Sequence, residues 1–213
     1  MKKIFTFLLV LMLALSSYAQ TNVTKFLGIP VDGSREKMEK QLKKKGFVKS
    51  SYSDEILVGE FNGGKVMVTI RTNKNKVCRI MVMDYDFVDE NQIKDRYNEL
   101  YNQFLNNPRY VGKGEMINEK EDISYEMTVK NKKYETIFSQ VGSIEELNNI
   151  LSKKYTKEQL NNPSKELKKE IDEDMVEIIK NKLVAFWIVK SGDLYGIAIC
   201  YDNKYNFPNG EDL

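Results

Sequence analysis

From Ser34 onward the apolar residues Met38 and Leu42 recur at helical spacing among charged neighbours, and Gly46 follows the run. A 3.6-residue period closed by glycine predicts a short surface helix. The next segments, "FVKSSY", "EILVGEF", "KVMVTIRT" and "KVCRIMVMD", are short and rich in Val, Ile and aromatic residues, with "SD", "NGG" and "NKN" between them. That pattern predicts a meander of about four antiparallel strands joined by hairpin turns.

A second helix is predicted over "VDENQIKDRYNELYNQFLNNP", where Ile93, Tyr97, Leu100, Tyr101, Phe104 and Leu105 share one face. Asp89 and Gln92 stand at the spacing of a capping box, and Asn106 and Asn107 before Pro108 suit a left-handed stop. Strands "ISYEMTV" and "YETIFSQ" are expected next, joined by "KNKK", with a short strand near Tyr110 and Val111 ahead of them.

From 143 to 182 the pattern turns helical again. Ser143 and Glu146 have capping-box spacing, and Ile144, Leu147, Ile150 and Leu151 share a face. "LNNP" recurs at 160 to 163 as a second helix stop, and a further helix presents Leu167, Ile171, Met175, Ile178 and Ile179 on one side. The chain then reads as a hairpin, "KLVAFWIVK" and "LYGIAICYD" around "SGD", whose strands are apolar on both faces. Two-sided apolarity places such strands centrally, in a sheet covered on both sides. The expected fold class is α+β: an antiparallel sheet from two helix-then-meander units, 26–88 and 89–213, with a helical insertion near 143–182.

The opening segment changes the compartment. "MKKIFTFLLVLMLALSSYAQ" has Lys2 and Lys3, an apolar run from Ile4 to Leu15, and small residues at Ser17 and Ala19. This is the signature of a secretory signal peptide, 1–19, cleaved near Ala19, with 20–213 forming one mature domain in the periplasm or outside the cell. The apolar run is short of the roughly 20 residues a transmembrane helix requires. The two cysteines lie at 78 and 200, away from the cleavage point, so neither a transmembrane segment nor a lipid anchor is expected.

Charge changes the picture next. The whole chain has 33 Lys plus Arg against 31 Asp plus Glu, and losing Lys2 and Lys3 with the signal leaves 31 of each. That balance argues against a nucleic-acid partner. Cys78 and Cys200 each sit in an apolar strand-like run, so a disulfide between them and a pair of buried thiols are both open, the second fitting the apolar setting better.

"GIPVDGSREK" has glycines before a lysine-rich helix, but it matches neither the phosphate loop nor the dinucleotide fingerprint. It reads as the turn leading into the first helix, with Gly33 at the bend and Ser34 as N-cap. With no histidine in the chain, Ser-His-Asp and Cys-His arrangements and most zinc sites are excluded, and no metal or other cofactor is expected. Paired carboxylates are the remaining catalytic option, in Asp84, Asp86, Asp89 and Glu90 or in Asp172, Glu173 and Asp174. Helix capping and a solvated helix face account for both groups without catalysis.

Binding fits better. Most of the twelve tyrosines and ten phenylalanines fall on core-like faces, but Tyr52, Tyr110, Tyr205 and Phe207 fall in loops or the tail and are the candidate binding residues. For the tail itself, a strap packing its aromatics onto the domain is the competing reading.

A small residue, then Ser, then a helix with Met and Leu inward, then glycine and a meander resembles the opening of β-lactamase-inhibitor-protein-like repeats and of the small lipoprotein of the outer-membrane barrel-assembly machine. That resemblance covers about 20 residues and implies a protein-binding surface rather than catalysis. "FLGIPVDGS" and "YNFPNGEDL" also resemble uncharacterised exported proteins of gut-dwelling anaerobic bacteria, a likeness over most of the mature chain. The expected function is a non-enzymatic module that binds another envelope or extracellular protein. The alternative is a binder of a lipid or glycan in a pocket between sheet and helices.

Overall fold

Two tight hairpins show how local sequence sets the register. Asn62 and Gly63 join their strands with both φ angles positive, 51° and 76°. That is the two-residue turn whose twist matches paired strands, and Asn-Gly is its preferred sequence. Lys74 and Asn75 make the next one in the same way, at 46° and 62°.

The computed structural model describes residues 22–142 and 144–208. The segment 1–19 expected to be a signal peptide, the Ser143 half of the expected capping box and the tail beyond Pro208 lie outside them. Chain order begins with a small hairpin, β1 (Lys25–Phe26) and β2 (Ile29–Pro30), followed by helix α1 (Arg35–Lys44). The first meander is β3 (Val48–Lys49), β4 (Ile56–Phe61), β5 (Gly64–Asn73) and β6 (Lys76–Asp84). Helix α2 (Glu90–Leu105), strand β7 (Tyr110–Lys113), helix α3 (Ile123–Thr128) and strand β8 (Glu135–Gln140) come next. Helices α4 (Ile144–Leu151), α5 (Lys157–Asn161) and α6 (Lys165–Lys180) separate β8 from β9 (Lys182–Ser191) and β10 (Leu194–Asn203). A 3-10 turn, Lys204–Asn206, closes the described chain.

The fold is α+β. Eight antiparallel strands form one sheet in the order β3-β4-β5-β6-β10-β9-β8-β7. The two meanders therefore meet through their last strands, with Arg79 opposite Asp202 and Met83 opposite Ala198. α1 lies against β5 and β6, and α2 against β10 and β7. Among the described residues no helix is long and apolar enough to cross a membrane.

The two helices on the sheet, α1 and α2, begin as their sequences require. Ser34 accepts a hydrogen bond from the Lys37 backbone N–H, and Asp89 and Gln92 complete a reciprocal capping box. Gly46 (φ 95°) ends α1 in the left-handed conformation, whereas Asn106 caps α2 from the right-handed helical region. Ile93, Tyr97, Leu100, Tyr101 and Phe104 are buried on α2, but Leu105 at the same face's end is exposed.

The helix side of the sheet holds the core. Phe104 of α2 stacks on Phe138 of β8 and Phe186 of β9 at 5.1 and 5.5 Å between ring centroids. Truncating a ring in such a stack costs about 3–5 kcal/mol. β5 and β9 alternate between buried and half-buried positions, while β10 is buried along nearly its whole length. Two-sided cover is thus confined to β10; β9, also expected to be covered on both sides, is fully buried only toward the helices.

One expected strand is a helix. "ISYEMTV" alternates in the strand sense, but Asp122 caps it by accepting from the Tyr125 N–H at 2.8 Å, and Ile123 and Met127 fall one helical turn apart on the core side. The sheet position beside β8 is filled by β7 instead. The insertion is three helices with a small core of its own, Leu151, Tyr155 and Ile171, supported by Leu160, Leu167, Met175 and Ile178.

Candidate functional site

Residues directly opposite one another in antiparallel strands point the same way, so the pairing register spells out the face turned away from α1 and α2. One row across it runs Val58, Met67, Met83, Ala198, Trp187 and Glu135. The next runs Ile56, Thr69, Met81, Cys200, Ala185 and Ile137. A third is polar at one end, Arg71, Arg79 and Asp202, before Leu183 and Ser139. Met67, Met81, Met83, Leu183 and Trp187 are half-buried, and Ile137 is exposed. The small, buried Ala198 and Cys200 at the centre let the larger side chains around them form a continuous apolar band.

The polar end of the band is rigid. Arg79 grips both carboxylate oxygens of Asp202, at 2.6 and 2.8 Å. The hydrogen bonds to Asp202 raise the Arg79 pKa further, so its charge is permanent. Asn203 accepts from the Tyr205 N–H and starts the 3-10 turn, which brings the Phe207 ring over the Arg79 guanidinium at 5.3 Å. Asn206 anchors this tail by donating to the Val77 carbonyl and to Asp32. A hollow of about 570 Å³ opens here, with Phe207, Arg79, Leu183, Ala185 and Trp187 in its wall.

The four residues proposed from sequence do not form one cluster. Phe207 and Tyr205 lie together on the tail, Phe207 packed at the edge of this face and Tyr205 43% exposed. Tyr52 is 83% exposed in the loop between β3 and β4. Tyr110 lies on the other side of the sheet, against Phe104, with its hydroxyl accepting from Gln140 Nε2 at 2.9 Å. Cys78 and Cys200 are both buried free thiols. Cys78 falls at an irregularity in the β5–β6 register, and its Sγ donates to the Arg71 carbonyl.

Sequence reasoning missed Trp187, because apolar residues on both faces of the last two strands read as burial on both, and it assigned no role to the methionines of β5 and β6. The available signal was the residue type. Along "KVMVTIRT" and "KVCRIMVMD" the helix side takes mainly Val and Ile, while the open side takes Met, Thr and Arg.

Four of the carboxylates open to a catalytic reading, Asp84, Asp89, Glu90 and Asp174, have structural partners. Asp84 holds Arg96 and accepts the Ile197 N–H at 2.8 Å. Asp89 caps α2, and Glu90 pairs with Lys94 and accepts the Ile123 N–H. Asp174 binds Lys154 and the Tyr155 hydroxyl. Comparison of the chain with protein-family models, with curated proteins and with solved structures finds no match.

Proposed function

We propose that this chain is a non-enzymatic exported module of the bacterial cell envelope that holds another protein on the open face of its sheet. The observation that carries the reading is the half-exposed apolar band through Met67, Met83, Trp187 and Ile137. Bands of this kind, carrying aromatic and methionine side chains, are favoured at interfaces. The flank of the band has Arg71, Lys133 and Lys204 exposed. A partner of matching chemistry has an apolar centre and acidic residues along one edge. The resemblance to β-lactamase-inhibitor-protein-like repeats, which implies a protein-binding surface, supports the same reading.

Photo-crosslinking amino acids placed at Met83, Ile137 and Trp187, in the native bacterium, test it. The expected result is one common protein product from all three positions and none from Glu158 on the insertion. No product from the band, or the same product from Glu158, overturns the reading.

A further inference from the structure

On the helix side, a groove of about 600 Å³ lies between the C-terminal end of α2, the tip of the β1–β2 hairpin and the ends of β7 and β8. Its size is that of a small-molecule site. Leu27, Phe61 and Phe104 supply an apolar lining, and Lys25 and Arg109 stand at its polar end. We infer that this groove binds a small amphipathic carboxylate, its acid group at Arg109, Tyr110 and Tyr201 and its hydrocarbon body along Phe61 and Phe104.

Two phenols point to the acid group. Tyr201 is only 4% exposed and lines the groove, yet its hydroxyl has no hydrogen-bond partner among the described residues. The oxygen itself opens onto the groove, so the hydroxyl is free to donate to an acceptor bound there. Tyr110 accepts from Gln140 and keeps its own O–H unspent among the described residues. Gln140 cannot turn away to meet it, because its amide is held on both the N–H and the carbonyl of Lys25, at 2.6 and 3.0 Å. Burial raises the pKa of both phenols, so each remains a donor at neutral pH. Two convergent donors call for an acceptor oxygen.

The surrounding charge selects an anion. Lys25 pairs with Glu146 at 2.6 Å, whereas the Arg109 guanidinium has no ion pair among the described residues. Lys182, also on the helix side, is 4% exposed and senses both Lys25 and Glu146. Lys25 and Arg109 line the groove with Glu146 as the one carboxylate, and Lys182 lies near Lys25 and Glu146, which leaves a positive excess there. Leu27 adds a further sign. It sits at the hairpin tip with φ 51°, where Asn or Gly is the ordinary choice, and its side chain is placed at the groove. Strained residues of this kind concentrate where a ligand is gripped.

Calorimetric titration of the mature chain with decanoate, and with 1-decanol as the uncharged control, tests the inference. Decanoate is expected to bind one site in the range of about 1–100 μM, and decanol about tenfold more weakly. Tyr201→Phe removes a hydroxyl that bonds nothing in the fold, so its thermal stability is expected to hold while decanoate affinity falls by about threefold to tenfold. Arg109→Gln is expected to bring decanoate down to the decanol level. Trp187→Ala, on the opposite face, leaves decanoate binding unchanged, so failure of the groove and failure of the open face are separately visible. Absence of saturable decanoate binding, equal affinity for decanol, or indifference to both Tyr201→Phe and Arg109→Gln overturns it.

Discussion

At β10 the thiol of Cys200 lies between Met81 and Ala185, and burial pushes its pKa up to about 11. Burial likewise raises that of Cys78. The thiolate is the reactive form, so at pH 8 only about one Cys200 in a thousand is poised to react. Native protein at pH 8 is therefore expected to resist iodoacetamide for hours, while urea-unfolded protein, without reductant, takes up two alkyl groups by mass. A product with none in urea would reveal a bridge. The sequence made the buried setting of both cysteines legible, as it did the caps at Ser34 and Asp89, because each depends on near neighbours in the chain. It did not reveal that Asp84 joins Arg96 to the Ile197 N–H, since that link spans 113 residues and exists only after the sheet has formed.

In β7, one position has room for no side chain at all. Gly112 pairs with Phe138, and a Cβ there would stand 2.5 Å from the Ile137 carbonyl oxygen and 2.5 Å from the Phe138 ring. The clash is with backbone, so the strand itself must shift. Gly112→Ala is expected to cost about 2 kcal/mol in urea unfolding, within the range for overpacked sites, and to speed amide exchange in β7. Val111→Thr next to it, at an exposed position, is expected to change stability by less than about 0.5 kcal/mol. Strand "YETIFSQ" and the long helices were legible from period and caps. α3 was not, because a six-residue segment fits strand alternation and one helical turn equally well, and tertiary contacts at Ile123 and Met127 decide it. The four loop aromatics were chosen for lying outside regular elements, a criterion blind to which face of a strand is left open.

For the whole molecule, the sheet and the insertion differ in how they are held. The sheet core runs unbroken from β4 to β8 through both meanders, whereas the insertion closes on Leu151, Tyr155 and Ile171. β8 and β9 remain hydrogen-bonded up to the pair Ser139 and Leu183, so the chain leaves and rejoins the sheet at neighbouring points. A short turn spans that gap, as in any antiparallel hairpin. Replacing residues 143–180 by a four-residue turn is therefore expected to preserve strand circular dichroism and cooperative unfolding while removing helical signal. The cost falls where Glu146 is lost, on Lys25 through its ion pair and above all on buried Lys182. Lys182 is buried, its pKa lowered by desolvation, and the field of Glu146 is what offsets that burial. Deletion takes Glu146 away and leaves Lys182 beside Lys25, so the shortened chain is expected to melt about 5–10 °C lower, with Lys182→Met restoring most of the loss. Collapse to a noncooperative, unfolded chain in both versions would mean that the insertion is part of the sheet's own folding unit.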